Sequence, residues 1–485
     1  MSAHDAAATI ARLGVTPRFI TADSRAVEAG GAFAAFRGSR ADGRDHIDDA
    51  IARGASAVLW DDERFAWKAQ WQVANAPVAQ LRARLGELAA FIFGSPSEAM
   101  WVTGVTGTNG KTTCAHWIAS ALDSPAQRAA VIGTLGNGFA GALAASPHTT
   151  PDAAALQATL AALRDAGAAS VTMEVSSHGL DQGRVNGVAF DVALFTNLTR
   201  DHLDYHGTMA AYGSAKARLF AWPGLHASVI NIDDAFGQRL AEDVKSRGAR
   251  VLTYGGVGGD VRATSVAMND DGVALDVDTP WGRGSTHVGV IGDFNVHNLL
   301  GTLGVLLVSD MKLADALRAL AALTPPPGRM QRFGGNGKPT VVVDYAHTPD
   351  ALEKALAALR PIVVEGGALF CVFGCGGERD PGKRPQMGAI AARLADRVVI
   401  TSDNPRSEDP QAIANAISRG VLEAGNRRWT LELDRARAIR AAVAAADVGD
   451  VVLVAGKGHE TYQDAGGVRA PFVDADVARD ALLAR

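Results

Sequence analysis

The segment Gly104-Val-Thr-Gly-Thr-Asn-Gly-Lys-Thr-Thr113 decides how the rest of the chain is read. An apolar run ends just before it at Trp101-Val102, and a helix-compatible stretch, Cys114 to Leu122, follows it. Strand, glycine turn and helix in that order make a phosphate-binding loop. Gly107 and Gly110 let backbone N–H groups close around phosphate oxygens, Lys111 is placed to reach the β and γ phosphates, and Thr112 offers a hydroxyl to magnesium. The usual spacing puts a glycine five residues before Gly110; here that residue is Val105, so the loop is a variant.

Around this loop the chain reads as a three-domain α/β protein. Its 485 residues suit about three domains, and 47% hydrophobic residues suffice for packed cores. Residues 1–97 form a small α/β unit, with strand-like runs at Ala32–Phe36 and Ala55–Trp60 flanking a helical Ile47–Arg53. Gly94-Ser-Pro-Ser97 then breaks the pattern. A central P-loop ATPase-type domain with a mostly parallel sheet spans 98–327, carrying strands near Ser170–Ser176, Val192–Thr196 and Ser228–Ile232. Leu323-Thr-Pro-Pro-Pro-Gly328 cannot continue a helix and marks the next boundary. A Rossmann-like domain, 328–485, follows with strands at Thr340–Asp344, Ala368–Phe373, Arg397–Thr401 and Asp450–Ala455, and in such sheets ligands bind beyond the carboxyl ends of the strands.

Composition narrows the partners. A net charge of −5 and a pI near 6.2 argue against nucleic-acid binding, which needs clustered excess Lys and Arg. Every apolar stretch is interrupted well short of the roughly 20 residues that span a bilayer, and Met1–Asp5 has neither a basic leader nor an apolar core. The expectation is a cytoplasmic monomer that acts on small molecules, without membrane insertion. Cys114, Cys371 and Cys375 form neither a disulfide framework nor a zinc set and read as core residues.

Two polar clusters follow central strands. Met173-Glu-Val-Ser-Ser-His-Gly179 puts Glu174 within a strand and a polar cluster at its end; alone Glu174 reads as a salt-bridge residue, but downstream of a phosphate loop a carboxylate there suits magnesium. Asn197-Leu-Thr-Arg-Asp-His-Leu-Asp-Tyr-His206 packs Asp201, His202, Asp204 and His206 into six residues, which suits metal or phosphate work or a polar surface loop. Lys216 lies in a helical stretch, Tyr212–Phe220, where a lysine ordinarily marks a solvated face.

The ordered set Gly107-Thr-Asn-Gly-Lys-Thr-Thr113, Met173-Glu-Val-Ser-Ser177, Thr199-Arg-Asp-His202, Ser214-Ala-Lys216 and Asp344-Tyr-Ala-His347 resembles the Mur ligase family, the ATP-dependent amide-forming enzymes of peptidoglycan synthesis. The resemblance covers nearly the whole chain. It implies an ATP site of Gly107, Thr108, Asn109, Gly110, Lys111, Thr112, Thr113, Asn295, Asn298, Arg329 and Asp344. It also implies two magnesium ions, expected at Thr112, Glu174, His202 and Lys216, the lysine being carbamylated by carbon dioxide to N6-carboxylysine. Ala22, Ser24, Ser39, Arg40 and Ala41 are implied for the UDP-sugar, and His148, Thr149, Thr150, Ser176, Gln182 and Arg184 for a muramoyl dipeptide.

In the last domain the resemblance implies a diaminopimelate site of Arg379, Asp403, Asn404, Pro405, Arg406, Gly456 and Glu460. Pro405 restricts Asn404 to an extended backbone, so Ser402-Asp-Asn-Pro-Arg406 presents its polar side chains in a fixed turn. Diaminopimelate has an amino-acid group at each end, and the planar fork of Arg406 suits its distal carboxylate. Lysine lacks that carboxylate and would leave a desolvated guanidinium unpaired, at roughly 3–5 kcal/mol. The implied reaction phosphorylates the γ-carboxylate of the D-glutamate residue in UDP-N-acetylmuramoyl-L-alanyl-D-glutamate, and the amine of meso-diaminopimelate attacks the acyl phosphate. Alternatives are a lysine-adding or folate-glutamylating ligase, or a nucleotide-dependent switch without ligase activity.

Overall fold

The computed structural model describes residues 3–38, 41–269, 272–335, 337–425 and 428–485. The chain divides into two compact units, one of Met1–Thr264, Val277–Gly284 and His297–Ala319, the other of Ser265–Asp276, Ser285–Val296 and Leu320–Arg485. Its sheets are α/β, as the alternation of apolar runs and helical segments predicts.

In the first unit, Phe19–Thr21, Gly31–Ala35, Ala57–Trp60 and Ala74–Pro77 form a four-stranded parallel sheet in sequence order. Alternation along Ala32-Phe-Ala-Ala35 sends Ala32 and Ala34 to the face covered by helices Ala3–Ala11 and Leu81–Ile92, and Phe33 and Ala35 to a cluster with Trp60 and Trp71. Both faces are buried, which is why the strand reads as an unbroken apolar run.

The larger sheet of this unit holds the phosphate loop. Past three further strands at one edge, its strands lie in the order Val251–Gly255, Ala227–Asn231, Val192–Phe195, Trp101–Thr106, Ala168–Glu174, Arg128–Gly133, Gly136–Phe139 and Ala142–Ala144. The six from Val251–Gly255 to Arg128–Gly133 run parallel. The expectation of a mostly parallel sheet meets an exception at this edge: the last two strands are antiparallel, because only short glycine-containing turns separate Gly133, Gly136 and Ala142 and leave no room for a crossover helix. Trp101–Thr106 lies between Val192–Phe195 and Ala168–Glu174, so three loops leave adjacent parallel strands at one edge.

In the second unit a six-stranded sheet has the order Gln331–Gly334, Thr340–Asp344, Val451–Ala455, Leu369–Phe373, Arg397–Ile400 and Trp429–Leu431, all parallel except the first. Its residues alternate between two cores: Val342, Cys371, Phe373 and Leu453 on one face, Val341, Val343, Phe370 and Val452 on the other. A separate hairpin pairs Tyr462–Ala465 with Val468–Pro471. Cys114, Cys371 and Cys375 are free and buried, and burial raises the thiol pKa of Cys114 and of Cys375 to about 12. They are inert packing groups, as expected.

Candidate active site

Strand Trp101–Thr106 ends in the phosphate loop, and helix Lys111–Leu122 begins directly after Gly110. Two glycines in this turn are obligatory. Gly107 has φ +153°, and a Cβ there would stand 1.8 Å from Thr196 Oγ1; at Gly110, φ +85°, a Cβ would stand 2.5 Å from Asn298 Oδ1. The loop is tied to the next strand's exit: Thr108 N–H donates to Asn197 O (2.8 Å), Asn109 N–H to Asn197 Oδ1 (2.9 Å), and Thr196 Oγ1 to Asn109 O (2.6 Å). Asn197 and Thr196 therefore shape the loop, a role that no motif assigns them.

Lys111 Nζ folds back to donate to Gly107 O (3.0 Å) and Thr108 O (2.8 Å). Lys216 Nζ reaches the same Gly107 O at 2.7 Å and lies over the Tyr212 ring. The expectation of a solvated face at Lys216 is corrected by this placement: the residue is 1% exposed, because its helix, Met209–Ala217, presents Tyr212, Ala215 and Lys216 inward. Burial, with the nearby Lys111 charge, pushes the Lys216 amine well below the usual lysine range, and Asp201 opposes the shift.

Glu174 lies opposite Val105 in the neighbouring strand. Its Oε2 accepts from Thr112 Oγ1 (2.8 Å) and Thr134 Oγ1 (3.2 Å), its Oε1 from Thr134 N–H (2.7 Å). The carboxylate approaches Gly133 so closely that a Cβ there would stand 2.3 Å from Oε1. Thr134 is a partner that sequence reasoning missed, since it lies in an ordinary turn after a strand. Among the described residues no group of three or more His, Cys, Asp or Glu converges as a complete metal cage. Magnesium does not need one: a hydroxyl and a single carboxylate beside a triphosphate cradle match its habit of taking one or two protein oxygens plus phosphates and waters.

His202 has φ +52° and its Nε2 lies 3.4 Å from Asp201 Oδ2; burial lowers the imidazole pKa, against the pull of Asp201. Its ring meets His178 (4.8 Å between centroids) and Tyr212 (6.0 Å), and His178 also touches Tyr205 (4.2 Å) and His206 (5.4 Å). Burial and the neighbouring His202 and His206 lower His178 to about 4, so it is neutral at physiological pH.

Of the residues expected for the muramoyl dipeptide, Thr150, Ser176, Gln182 and Arg184 come together. Arg184 donates through Nη1 to Thr150 O (2.9 Å) and through Nε and Nη2 to Gln182 Oε1 (3.0 and 2.8 Å), while Ser176 N–H donates to Thr150 Oγ1 (3.0 Å). Thr149 Oγ1 meets Thr134 Oγ1 at 3.0 Å; His148 is exposed. In the first sheet, Ala22 is half-buried and Ser24 opens a short helical turn capped by Asp23. Ala41 accepts from Gly38 N–H (2.9 Å), whereas Ser39 and Arg40 lie outside the described residues. Asn298 is buried, with Cys114 Sγ 3.5 Å from its Oδ1.

In the second unit, Asn295 is buried and donates to Ile291 O (2.7 Å). Asp344 ends its strand and accepts from Met330 and Ala346 N–H, both at 2.8 Å; burial raises its carboxyl pKa, against the pull of Arg329 and these amides. Arg329 stacks over Tyr345.

Three loops leave adjacent strands of this sheet after Phe373, Ile400 and Ala455. Arg406, φ +52°, is clamped by the hairpin: its N–H donates to Asp464 O (3.0 Å), its O accepts from Gly466 N–H (2.6 Å), and its Nη1 donates to Gly377 O (2.6 Å). Gly377 is required, since a Cβ would stand 2.0 Å from Pro405 O. Asp403 is buried and takes the Asn404 N–H at 2.6 Å; Gly456, φ +115°, lets its Oδ2 approach. Asn404 Nδ2 donates to Glu460 Oε2 (2.7 Å). Arg379 is exposed.

Sequence reasoning missed three charged residues beside these loops. Lys457 is 0% exposed and donates to Asn404 Oδ1 (3.0 Å) and Glu460 Oε2 (2.8 Å). A lysine just past an apolar strand was the available signal. Arg435 and Asp474 form a fully buried pair (Nε–Oδ1 2.7 Å, Nη2–Oδ2 2.7 Å), and the guanidinium also donates to Ser402 O (3.3 Å) and Ala455 O (2.9 Å). Neither partner stands in a recognisable motif.

This geometry agrees with what the chain is similar to. Residues 16–92 match the Mur ligase family, catalytic domain; residues 105–306 the Mur ligase middle domain; and residues 328–458 the Mur ligase, glutamate ligase domain. A protein of Chromobacterium violaceum named UDP-N-acetylmuramoyl-L-alanyl-D-glutamate--2,6-diaminopimelate ligase is 56% identical over 98% of this chain and 96% of its own length. One of the same name from Ralstonia nicotianae is 53% identical over 96% of this chain and 93% of its own. A solved structure of a ligase of that name superposes with a TM-score of 0.71 at 37% identity, covering 96% of this chain and 95% of the other. With family domains matched in order and relatives this similar from end to end, the chain belongs to the Mur ligase family.

Proposed function

We propose that this protein is the ATP-dependent ligase that joins meso-2,6-diaminopimelate to the D-glutamate γ-carboxylate of UDP-N-acetylmuramoyl-L-alanyl-D-glutamate, a step of peptidoglycan synthesis. The observation that carries the reading is end-to-end similarity to ligases of that name, in a chain that has a glycine phosphate loop and a buried Asp403-Asn-Pro405 turn leading into Arg406. We assign residues 1–97 to the UDP-sugar, 98–327 to ATP and 328–485 to the amino acid.

In this mechanism the loop amides and Lys111 hold the β and γ phosphates, the ammonium exchanging its carbonyl partners for phosphate oxygens. Magnesium, with Thr112 and Glu174 as its protein oxygens, supplies neutralisation of phosphate charge. Arg184 and Gln182, already joined to Thr150, orient the dipeptide so that its γ-carboxylate meets the γ phosphate. The carboxylate oxygen attacks phosphorus and ADP leaves. The neutral amine of diaminopimelate then attacks the acyl carbon, the tetrahedral adduct loses phosphate, and the nitrogen releases its proton. No protein nucleophile is needed; positioning and charge stabilisation carry the reaction. The ATP requirement suits the cytoplasm, and we assign the enzyme there as a monomer.

Lys216 is assigned as a carbamate. Burial depresses the amine pKa and so favours the unprotonated, nucleophilic form; its lone pair attacks carbon dioxide and a proton passes to water, leaving an N-carboxylate. That replaces a buried amine beside the Lys111 ammonium at Gly107 O with an anion, giving an opposite-charge pair. Carbon-13 bicarbonate should yield a carbamate resonance that vanishes in Lys216→Met; its absence in the wild type would remove this assignment. For the reaction itself, phosphate release is measured with ATP, the UDP-linked dipeptide and either diaminopimelate or lysine. Release with diaminopimelate and far slower release with lysine is expected, and no release with either acceptor refutes the ligase reading.

A further inference from the structure

We infer that Lys457 is a specificity-determining positioning residue, which cancels the charge of Glu460 and fixes the Asn404 amide so that the pocket selects an acceptor whose distal end carries both ammonium and carboxylate. The inference rests on the function proposed above and goes beyond it in naming a residue with no assigned role there.

The argument starts from hydrogen-bond inventory. Asn404 Oδ1 accepts from Lys457 Nζ (3.0 Å) and Asp464 N–H (2.9 Å), both obligate donors. The amide therefore has one allowed orientation, with Nδ2 turned to Glu460 Oε2 at 2.7 Å. Lys457 Nζ meets that same oxygen at 2.8 Å. Both bonds land on Oε2, so Oε1 is the oxygen presented to a ligand, on a side chain 21% exposed. Lys457 itself is 0% exposed and cannot touch bulk solvent.

Charge gives this arrangement its selectivity. Without Lys457, Glu460 is a full anion beside the neutral Asn404, and it attracts any amine that reaches it. With Lys457 in place the pair is neutral overall, and an ammonium gains only the directional bond to Oε1. Binding then depends on a second contact, the distal carboxylate on Arg406, whose backbone the hairpin holds at Asp464 and Gly466. Diaminopimelate offers both groups; lysine offers the ammonium alone.

The test compares kcat/KM for diaminopimelate and for lysine in the full-length enzyme and in Lys457→Met, Lys457→Gln and Lys457→Arg. The diaminopimelate-to-lysine ratio should fall at least tenfold in the methionine and glutamine variants and stay within threefold of wild type in the arginine variant, which keeps the charge. The KM for ATP should not move. Lys457→Gln retains hydrogen-bonding capacity, so the charge is still tested if Lys457→Met does not fold. An unchanged ratio in a folded Lys457→Gln, or lysine turnover undetectable in that variant, overturns the inference and leaves the ligase reading intact. Failure of the wild type to use diaminopimelate overturns both.

Discussion

Replacing Asp474 by asparagine removes half of a fully buried ion pair, and the structure sets the scale of the damage. The Arg435 guanidinium makes four contacts of hydrogen-bond length in the native protein: two on Asp474 at 2.7 Å, one on Ala455 O and one on Ser402 O. The substituted amide would keep one acceptor, leaving a buried charge without its counter-ion. Breaking such a pair costs about 3–5 kcal/mol. For a folding unit of this size each kcal/mol moves Tm by about 2–4 °C, which gives a fall of about 6–20 °C in the transition that contains the last sheet. Calorimetry of full-length Asp474→Asn reads this directly. Function should weaken below that transition too, because Ser402 and Ala455 open the two loops proposed to bind the amino acid, so its KM should rise more than that of ATP. The double variant Arg435→Met/Asp474→Leu, which removes both charges, should recover most of the lost stability. A shift under about 2 °C in the single variant, less than one kcal/mol, would refute this assignment of a buried, uncompensated guanidinium.

Gly107→Ala should abolish ATP-dependent turnover, since its Cβ would stand 1.8 Å from Thr196 Oγ1; nucleotide binding by calorimetry should be lost while far-UV dichroism is kept. Glu174→Gln should lower kcat by about 10²-fold or more and raise the magnesium concentration needed for half-maximal rate, as one protein oxygen of the proposed site loses its charge. Arg406→Ala should raise the KM for diaminopimelate by about 10²-fold or more, the scale expected when a desolvated charge-assisted contact worth about 3 kcal/mol is lost; an unchanged KM counts against its role.

The strands were the legible part of the fold. Thr340–Asp344 appears as its apolar run predicts, and Leu369–Phe373, Arg397–Ile400 and Val451–Ala455 differ from the expected spans by a residue at an end, because strands buried on both faces write uninterrupted hydrophobic runs. Their order in the sheet, with Val451–Ala455 inserted between Thr340–Asp344 and Leu369–Phe373, is a long-range fact with no local signal. The same limit applies to side chains. The glycine loop was readable because φ and close approach leave only glycine as a choice. The burial of Lys216 was not, since the depth of one helix face depends on what packs over it. Arg435 and Asp474 are further out of reach: 39 residues separate them, and each looks like an ordinary surface charge at a helix start.

The register at Glu174 also limits how this enzyme can vary. Glu174 faces Thr112 only because Val105 is its partner across the sheet and Gly104 pairs with Met173. Strand side chains alternate, so gaining or losing one residue between Ala168 and Glu174 would bring Met173 or Val175 to the hydroxyl, and neither offers an oxygen. Changes in length can be absorbed beyond Gly136–Phe139 and Ala142–Ala144, at the antiparallel edge, but not in this strand. The spacing from the phosphate loop to its carboxylate is thus quantised in pairs of residues, and a single-codon insertion there would be far more damaging than most substitutions.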